Sequence, residues 1–241
     1  MREDESGPRV ATADPDEVEL RLQMPLELAV ATQRTVRRVL PDPVDDSVLR
    51  RCLELAVEAP TGSNLQNWAF VVVRDRARKA AFAAQYRRAW TLYGGVGRRL
   101  RGSDPATARI LKSVQWQVDH FEEIPVLVVP CMRGGPRIPL APLPSIIDTS
   151  YYGSIYPAVQ NLLLAARAVG LGASLITLPL WSGIQARRIL HLPLTVDPIC
   201  MVPMGWPIGR YGRKHRTGVA ELVHLDRWGD RPWTGDGPAR P

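Results

Sequence analysis

Apolar positions along the chain form helical and strand-like runs that alternate over most of its length. Leu20, Met24, Leu28 and Ala31 recur at helical spacing over about 17–31, and Pro25 predicts a break inside that helix. Further helices are predicted at about 46–59 (capped by Asp45 or Asp46), 76–90, 152–169 and 184–190. Another is predicted after the loop at 93–105 and ends at about 121. Short apolar runs predict strands at 68–73, 124–132, 173–178, 199–205 and 221–225. Polar, Gly- and Pro-rich stretches predict loops at 60–64, 93–105 and 133–144.

The order of these elements indicates the fold class. Two helices precede any strand, which favours a layered α/β or α+β sandwich over a regular doubly wound fold. The helix over Tyr152–Val169 is apolar nearly all round, so it needs a second cover besides its own sheet, such as a second subunit. We therefore predict a homodimer, in which the tail beyond Arg210 embraces the partner and adds a strand over 221–225 to its sheet.

Composition restricts the class of protein further. The chain has 241 residues, 45% of them hydrophobic, which suits one compact domain with appended arms and excludes disorder throughout. No apolar run approaches the roughly 20 residues that a bilayer span needs, and the polar, acidic N-terminus is not a secretory signal. Three dispersed cysteines in apolar runs predict buried, inert thiols in a reduced, cytoplasmic protein.

Charge alone does not identify a partner. The formal net charge is +7, and almost all of the excess is arginine, which suits planar recognition of anions. No nucleic-acid recognition motif, dinucleotide fingerprint, phosphate-binding P-loop, nucleophile elbow or metal-ligand spacing is present. The four histidines have no partners at catalytic spacing. We accordingly predict neither a metal site nor a nucleic-acid partner.

Two segments carry candidate chemistry. Gln33-Arg-Thr-Val-Arg37-Arg places two arginines and a hydroxyl where they can converge on one phosphate, although a solvated basic turn would have the same pattern. Ala59-Pro-Thr-Gly-Ser-Asn64-Leu-Gln-Asn-Trp68 is a polar loop between an apolar helix and a buried strand. The Asn64 amide can both donate and accept hydrogen bonds, as a flavin pyrimidine edge requires, but a hydrogen-bonded connection would also explain the loop.

Together with two later runs, these segments resemble the FMN-dependent nitroreductase family. R-T-V-R-R and A-P-T-G-S-N-L-Q-N-W are similar to its R-R-S-x-R-x-F and A-P-S-x-x-N-x-Q-P-W patterns. The helix that ends in Gly170-Leu-Gly172, the run Pro203-Met-Gly-Trp-Pro207 and the basic cluster before Glu221 follow in family order, so the resemblance spans about 26–228. Gln33, Val39 and Asn67 depart from the pattern. The arginine-rich character is similar to actinobacterial nitroreductase-like proteins.

The resemblance implies a three-layer α-β-α sandwich of the α+β class with a mostly antiparallel central sheet, as a domain-embracing homodimer. The polar, acidic residues 1–16, with Pro8 and Pro15, predict a flexible leader. The resemblance implies an FMN-binding domain at 17–228 with a variable excursion near 87–122, followed by a flexible tail at 229–241. It implies FMN contacts from the basic run, the polar loop, the strand after Gly172 and the basic tail: Arg34, Thr35, Arg37, Pro60, Thr61, Ser63, Asn64, Thr177, Leu178, Lys214 and Arg216. The loop residues Pro60, Thr61 and Ser63 are the ones that a partner chain could supply.

The implied activity is NAD(P)H-dependent reduction of nitroaromatic, quinone or similar small acceptors, by ping-pong hydride transfer through flavin N5. No catalytic side chain is required, because the flavin carries the chemistry. Arg98, Arg99 and Arg101 are candidates for the 2′-phosphate of NADPH, against the alternative of a solvated basic surface. Two other functions stay open, namely a related flavin protein with flavin-consuming or dehalogenating chemistry, and an FMN-binding module without turnover.

Overall fold

The computed structural model describes residues 15–100, 105–134 and 145–231. The described helices are α1 Pro15–Leu22, α2 Leu26–Thr32, α3 Asp46–Ala56, α4 Arg76–Leu100, α5 Pro105–Asp119, α6 Ser145–Ala168, α7 Gly183–Leu190 and α8 Val219–Leu222. The strands are β1 Trp68–Val73, β2 Val126–Arg133, β3 Gly172–Ala173, β4 Val196–Pro198 and β5 Val202–Gly205. Single 3-10 turns cover Gly62–Asn64, Phe121–Glu123 and Leu178–Leu180.

Several element boundaries follow directly from local chemistry. Pro25 separates α1 from α2, as predicted, because proline cannot continue the hydrogen-bond ladder of a helix. Asp45 caps α3 by accepting a hydrogen bond from Ser47 N at 2.8 Å, which also confirms the prediction. The β1 strand has the predicted bounds, since its run of β-branched and aromatic residues favours extended backbone.

The predicted loop over 93–105 is wrong for its first part, because α4 continues to Leu100. Gly94, Gly95 and Gly97 each weaken a helix by about 1 kcal/mol relative to alanine. Elongating a helix that packing already holds is nevertheless easier than starting a new element. The packed face of α4 is provided by Phe82, Tyr86 and other buried residues. Residues 101–104 lie outside the described part of the chain.

Three predicted strands also differ from the structure. The strand over 173–178 is only Gly172–Ala173 with a single bridge at Ile176, because Pro179 lacks an N–H and the chain enters a 3-10 turn. The strand over 199–205 begins at Val202, after a separate short β4. The prediction of a strand over 221–225 is wrong, since Val219–Leu222 is a helical turn rich in good helix formers. The prediction that it extends a partner's sheet therefore loses its basis.

The sheet has the order β1-β2-β5-β3, with β4 also paired to β2, and every one of these pairs is antiparallel. A single parallel bridge joins Thr35 to Ala173 at the β3 edge. This mostly antiparallel sheet between two helical layers confirms the predicted α+β sandwich.

Alternate residues of β2 show how the layers form. Val126, Val128 and Met132 face one apolar cluster with α3 and α6, whereas Leu127, Val129 and Cys131 face a second cluster with α4. Every residue of β2 except Arg133 is buried, because helices cover both faces of the sheet. Within the described residues, no helix combines the length and the apolar character needed to cross a bilayer.

Among the described residues, those up to Tyr211 form one compact unit, and those from Gly212 to Arg231 belong to a second. The described part of the second unit contains α8 and a tight turn at 224–230. In that turn the rings of His224 and Trp228 stack with centroids 4.1 Å apart, and Gly229 N donates to His224 Nδ1. This unit carries the basic cluster that includes Lys214 and Arg216.

Candidate functional site

The basic segment at residues 33–38, which we call the arginine segment, is held by backbone hydrogen bonds on both sides. Val36 N donates to Ala173 O at 3.0 Å, which fixes the segment against β3. Ile208 N donates to Arg38 O at 3.0 Å, and Leu40 N donates to Trp206 O at 2.7 Å. The segment is therefore a fixed part of the fold and not a loose basic turn.

Two glycines allow this close approach. A Cβ on Gly172 would lie 2.5 Å from Val36 Cγ1, and a Cβ on Gly205 would lie 2.9 Å from Pro125 Cγ and 3.1 Å from Val39 Cβ. All three distances are below normal carbon contacts, so a larger residue at Gly172 would push Val36 away, and one at Gly205 would displace Pro125 or Val39. The glycines of the G-L-G and V-P-x-G runs thus serve packing between backbone segments.

A cavity of about 260 Å³ opens at the N-terminal end of the arginine segment. Three arginines from different parts of the chain line it, together with small, apolar and neutral polar residues. The lining residues are Thr32, Gln33, Arg34, Val36, Leu163, Arg167, Gly170, Leu171, Gly172, Ala173, Pro207, Gly209, Arg210 and Tyr211. Convergent guanidinium groups with a mixed lining are suited to an anionic group at the end of a larger ligand.

Arg37 does not line that cavity, and its guanidinium is half-buried near α4 and α5. Its Nη1 donates to Ser113 Oγ at 3.1 Å, and burial lowers its pKa, an effect partly opposed by Tyr86. Its Nε is buried and has no hydrogen-bond partner among the described residues. A buried guanidinium N–H without an acceptor costs about 1–3 kcal/mol or more, which makes Arg37 a candidate for a ligand contact.

Gln85 on α4 is a polar candidate that sequence reasoning missed. Both its Nε2 and its Oε1 are buried without a partner among the described residues, so the amide offers one donor and one acceptor. A signal was present in the sequence. Gln85 falls at helical spacing between Phe82 and Ala89, which are fully buried. A polar residue within a buried stripe indicates a ligand or a partner side chain.

The polar loop after α3 has a strained backbone. Ser63, Asn64 and Gln66 have φ values of +51°, +51° and +45°, which is the left-handed region that non-glycine residues seldom occupy. Gln66 Nε2 donates to Asn64 Oδ1 at 3.1 Å, and Gly62 N donates to Ser154 Oγ at 3.1 Å. Its residues from Gly62 to Gln66 are nevertheless exposed. Strain at exposed polar residues is typical of segments shaped for binding.

Within one chain, the polar loop and the arginine segment lie at opposite ends of β2. Arg133, at the end of β2, donates to Gln66 O at 3.0 Å, whereas Val39 lies beside Pro125, just before β2 begins. An eight-residue strand spans roughly 23 Å from its first to its last residue. Asn64 and Arg37 of one chain are therefore far apart, on opposite sides of the fold along β2.

The other candidate residues occupy separate positions. Thr177 and Leu178 open a 3-10 turn, so the Leu178 N–H has no acceptor within that turn. In the second unit, Arg216 Nη1 donates to His215 O at 3.0 Å, and Lys214 also has an interaction partner. Arg98 and Arg99 fall in the last turn of α4, but the structure does not describe their side chains, and Arg101 lies outside the described residues.

A buried polar chain underlies the site. Tyr86 Oη donates to Gln117 Oε1 at 3.3 Å, and Gln117 Nε2 donates to Ser174 Oγ at 2.9 Å. All three side chains are buried, so each hydrogen bond offsets a desolvation cost. Because Ser113 and Gln117 are one turn apart on α5, this helix contacts both Arg37 and the segment that leads to Thr177.

Comparisons with known proteins identify the family. Residues 30–206 match the Nitroreductase family. The chain is 26% identical over 223 residues to an NADH dehydrogenase of Thermus thermophilus, covering 81% of this chain and 93% of that protein. It is 29% identical over 206 residues to 5,6-dimethylbenzimidazole synthase of Rhodospirillum rubrum, covering 83% and 87%.

Solved structures show the same fold. A BluB-like flavoprotein of Clostridium difficile aligns with a TM-score of 0.63 at 18% identity, covering 85% of this chain and all of that one. Iodotyrosine deiodinase bound to FMN and 3-iodo-L-tyrosine aligns with a TM-score of 0.61 at 24% identity, covering 83% and 96%. Since the family match covers most of the chain, this protein belongs to the nitroreductase family.

Proposed function

We propose that the protein binds FMN and uses it as an NAD(P)H-dependent oxidoreductase that reduces nitroaromatic, quinone or similar small acceptors. The observation that carries the proposal is the buried Nε of Arg37, which lacks a partner among the described residues. The acceptor edge of a flavin pyrimidine would satisfy it. FMN also fits the opposite end of the arginine segment, where Arg34 and Arg210 line a cavity that has room for a phosphate.

FMN, when bound, supplies hydride transfer at its N5 atom. The chain's residues contribute position and charge. Arg37 places a cation at the pyrimidine edge, where it favours the negative charge of the reduced ring. The Leu178 N–H is the proposed donor toward N5, and Thr35 joins Arg34 near the phosphate. The polar loop with Pro60, Thr61, Ser63 and Asn64 comes from the partner subunit, because of its distance from Arg37 along β2.

The first test is the absorbance spectrum and the FMN content of the purified protein. We expect a yellow protein with about one FMN per chain. Arg37→Ala removes a charge-assisted contact, so the FMN dissociation constant should rise by about 10- to 100-fold. Arg50→Ala is the matched control, since Arg50 is exposed on α3 and pairs only with Glu54 among the described residues. An unchanged constant in Arg37→Ala would remove the observation on which the proposal rests.

Turnover separates the proposed enzyme from its alternatives. The relatives include an iodotyrosine deiodinase and a 5,6-dimethylbenzimidazole synthase, so reductive dehalogenation and consumption of the flavin are the competing chemistries. We expect many equivalents of NAD(P)H to be oxidised per FMN with a nitroaromatic or quinone acceptor, while the flavin absorbance survives. Loss of flavin absorbance that does not return on reoxidation would favour the flavin-consuming alternative, and FMN binding without NAD(P)H oxidation would favour a binding module.

The donor preference is a further part of the proposal. Arg98, Arg99 and Arg101 near the end of α4 would attract the 2′-phosphate of NADPH. Replacing all three by alanine should raise KM for NADPH and leave NADH nearly unchanged, because these contacts act on binding remote from the hydride. Added salt should shrink the preference. Equal losses for both donors would indicate a role in folding or access; basic residues at a helix C-terminus also stabilise the helix dipole.

The place of action is also proposed. All three cysteines are free and buried in the structure, which fits a reducing compartment such as the cytoplasm. The similarity to the actinobacterial nitroreductase-like branch stays a prediction from composition and from the A-P-T-G-S-N loop.

A further inference from the structure

Arg167 on α6 is an arginine that neither the family pattern nor the motif reading assigns to the site. Its Nε donates to Thr32 Oγ1 at 2.9 Å, and the Thr32 hydroxyl donates to Leu28 O at 2.6 Å. Thr32 is buried at the end of α2, so this pair fixes one edge of the guanidinium against the helix. The side chain is thereby oriented before any ligand arrives.

The other edge of the guanidinium has open hydrogen-bonding capacity. Across the described ranges of the chain, no acceptor pairs with the two terminal nitrogens of Arg167, and the residue lines the cavity at the start of the arginine segment. An arginine has five N–H donors in a fixed fork, and only one of them is used here. The remaining donors suit a planar, bidentate contact with a phosphate or carboxylate.

Gln33 lines the same cavity and stands where the family pattern has its first arginine. The chain therefore lacks one cation of the R-R-S-x-R pattern at a position that lines the same cavity as Arg167. A phosphate monoester carries nearly two negative charges at neutral pH, so a neutral amide in place of a cation weakens its binding. The 260 Å³ cavity is smaller than pockets that enclose whole ligands of this size, roughly 300–1,000 Å³, so it suits one end of the cofactor.

We propose that Arg167 replaces the cation that Gln33 lacks and binds the FMN phosphate in this cavity, with Thr32 as its positioning residue. The inference rests on the proposed FMN function. It makes Arg167 a determinant of the preference for FMN over riboflavin, which has the same ring and ribityl chain but no phosphate.

The test compares dissociation constants of FMN and riboflavin for four proteins, measured by flavin fluorescence quenching without any turnover. Arg167→Met should weaken FMN binding by about 10- to 100-fold and leave riboflavin within about twofold. The double variant Gln33→Arg/Arg167→Met should recover most of the lost FMN affinity, because the cation returns to the same cavity. Arg21→Met is the matched control, since Arg21 also binds the end of α6, through Val169 O, but does not line the cavity.

Each outcome decides the matter. FMN affinity that is unchanged in Arg167→Met would overturn the inference, and so would equal losses for FMN and riboflavin without recovery in the double variant, which would show a structural role. The wild-type protein separates the two proposals. If it binds no FMN, the proposed function fails and this inference fails with it; if it binds FMN normally and Arg167→Met does too, only this inference fails.

Discussion

Single buried residues already determine part of the protein's chemistry. Burial raises the pKa of the thiols of Cys52, Cys131 and Cys200 to about 12, so all three stay protonated at neutral pH. A protonated thiol is a poor nucleophile and a poor metal ligand. The cysteines therefore act as small core residues, as their apolar surroundings in the sequence predict.

We expect these thiols to be unreactive in the folded protein. A thiol-specific chromogenic reagent at pH 8 should label none of the three cysteines until denaturant unfolds the chain, when all three react. A raised folded-state pKa stabilises the fold below the unfolded value of 9.0 and loses that contribution as pH rises toward about 12. The unfolding midpoint in denaturant should accordingly fall across that alkaline range, and less so in Cys52→Ala. Rapid labelling of the native protein would contradict this assignment.

Candidate site residues were predictable where a residue type in a pattern was sufficient. Residue types and their spacing identify the arginine segment and the Asn64 loop. The sequence does not show that Arg37 Nε is buried without a partner among the described residues. Gln85 carried a usable signal in its position on a buried stripe. Arg167 has no such signal in the sequence, because an arginine in the last turn of a helix is common. Its hydrogen bond to Thr32 and its place in the cavity lining are visible only in the structure.

At the scale of secondary structure, the arginine segment depends on the glycines beneath it. Gly172→Ala should destabilise the fold by about 1–3 kcal/mol, because the added methyl would overlap Val36 and force a backbone shift. It should also weaken FMN binding, since Thr35 and Arg37 move with Val36.

Denaturant unfolding of Gly172→Ala and of a control variant compares their free energies of unfolding with that of the wild type. Gly183→Ala is the matched control. Gly183 is the first residue of α7, and a Cβ there meets nothing within 4 Å, so alanine should be neutral or slightly stabilising. Equal stability of Gly172→Ala and the wild type would contradict this prediction, because it would show that Val36 can move away from the added methyl at little cost.

The element-scale errors share a physical origin. Local patterns predicted β1 and the capped start of α3, where the sequence and the packing agree. They failed for α4 beyond Trp90 and for the segment after Ala173, where tertiary packing or a proline decides against local propensity. Short edge strands such as β3 depend on their pairing partners, which lie far away in sequence.

At the scale of the whole molecule, the separation of the polar loop from the arginine segment is the basis of the proposal that the site is built from two chains. Tyr152 and Tyr156 on α6 are partly exposed and stacked at 6.2 Å, an apolar face suited to a second copy. In a two-fold dimer, each site would combine the arginine segment of one chain with the loop of its partner.

Mixed dimers test this arrangement. Arg37→Ala and Asn64→Ala should each bind FMN much more weakly as homodimers, so that neither is occupied at an FMN concentration that saturates the wild type. A heterodimer of the two, purified with different affinity tags, should regain one intact site and bind about one FMN per dimer. The matched control is a heterodimer of Arg37→Ala with Arg34→Ala, in which both altered residues belong to the arginine segment and neither site is intact. Failure of the first heterodimer to recover FMN would place the site within one chain.

The length of β2 has a thermodynamic consequence if the loop and the arginine segment act on one flavin. Neither subunit alone then presents a complete binding surface, so the free energy of cofactor binding is also free energy of subunit association. Dilution releases FMN even at constant FMN concentration, and excess FMN holds subunits together that would otherwise separate. Cofactor supply thus becomes a control on the amount of assembled protein, without any separate regulatory site.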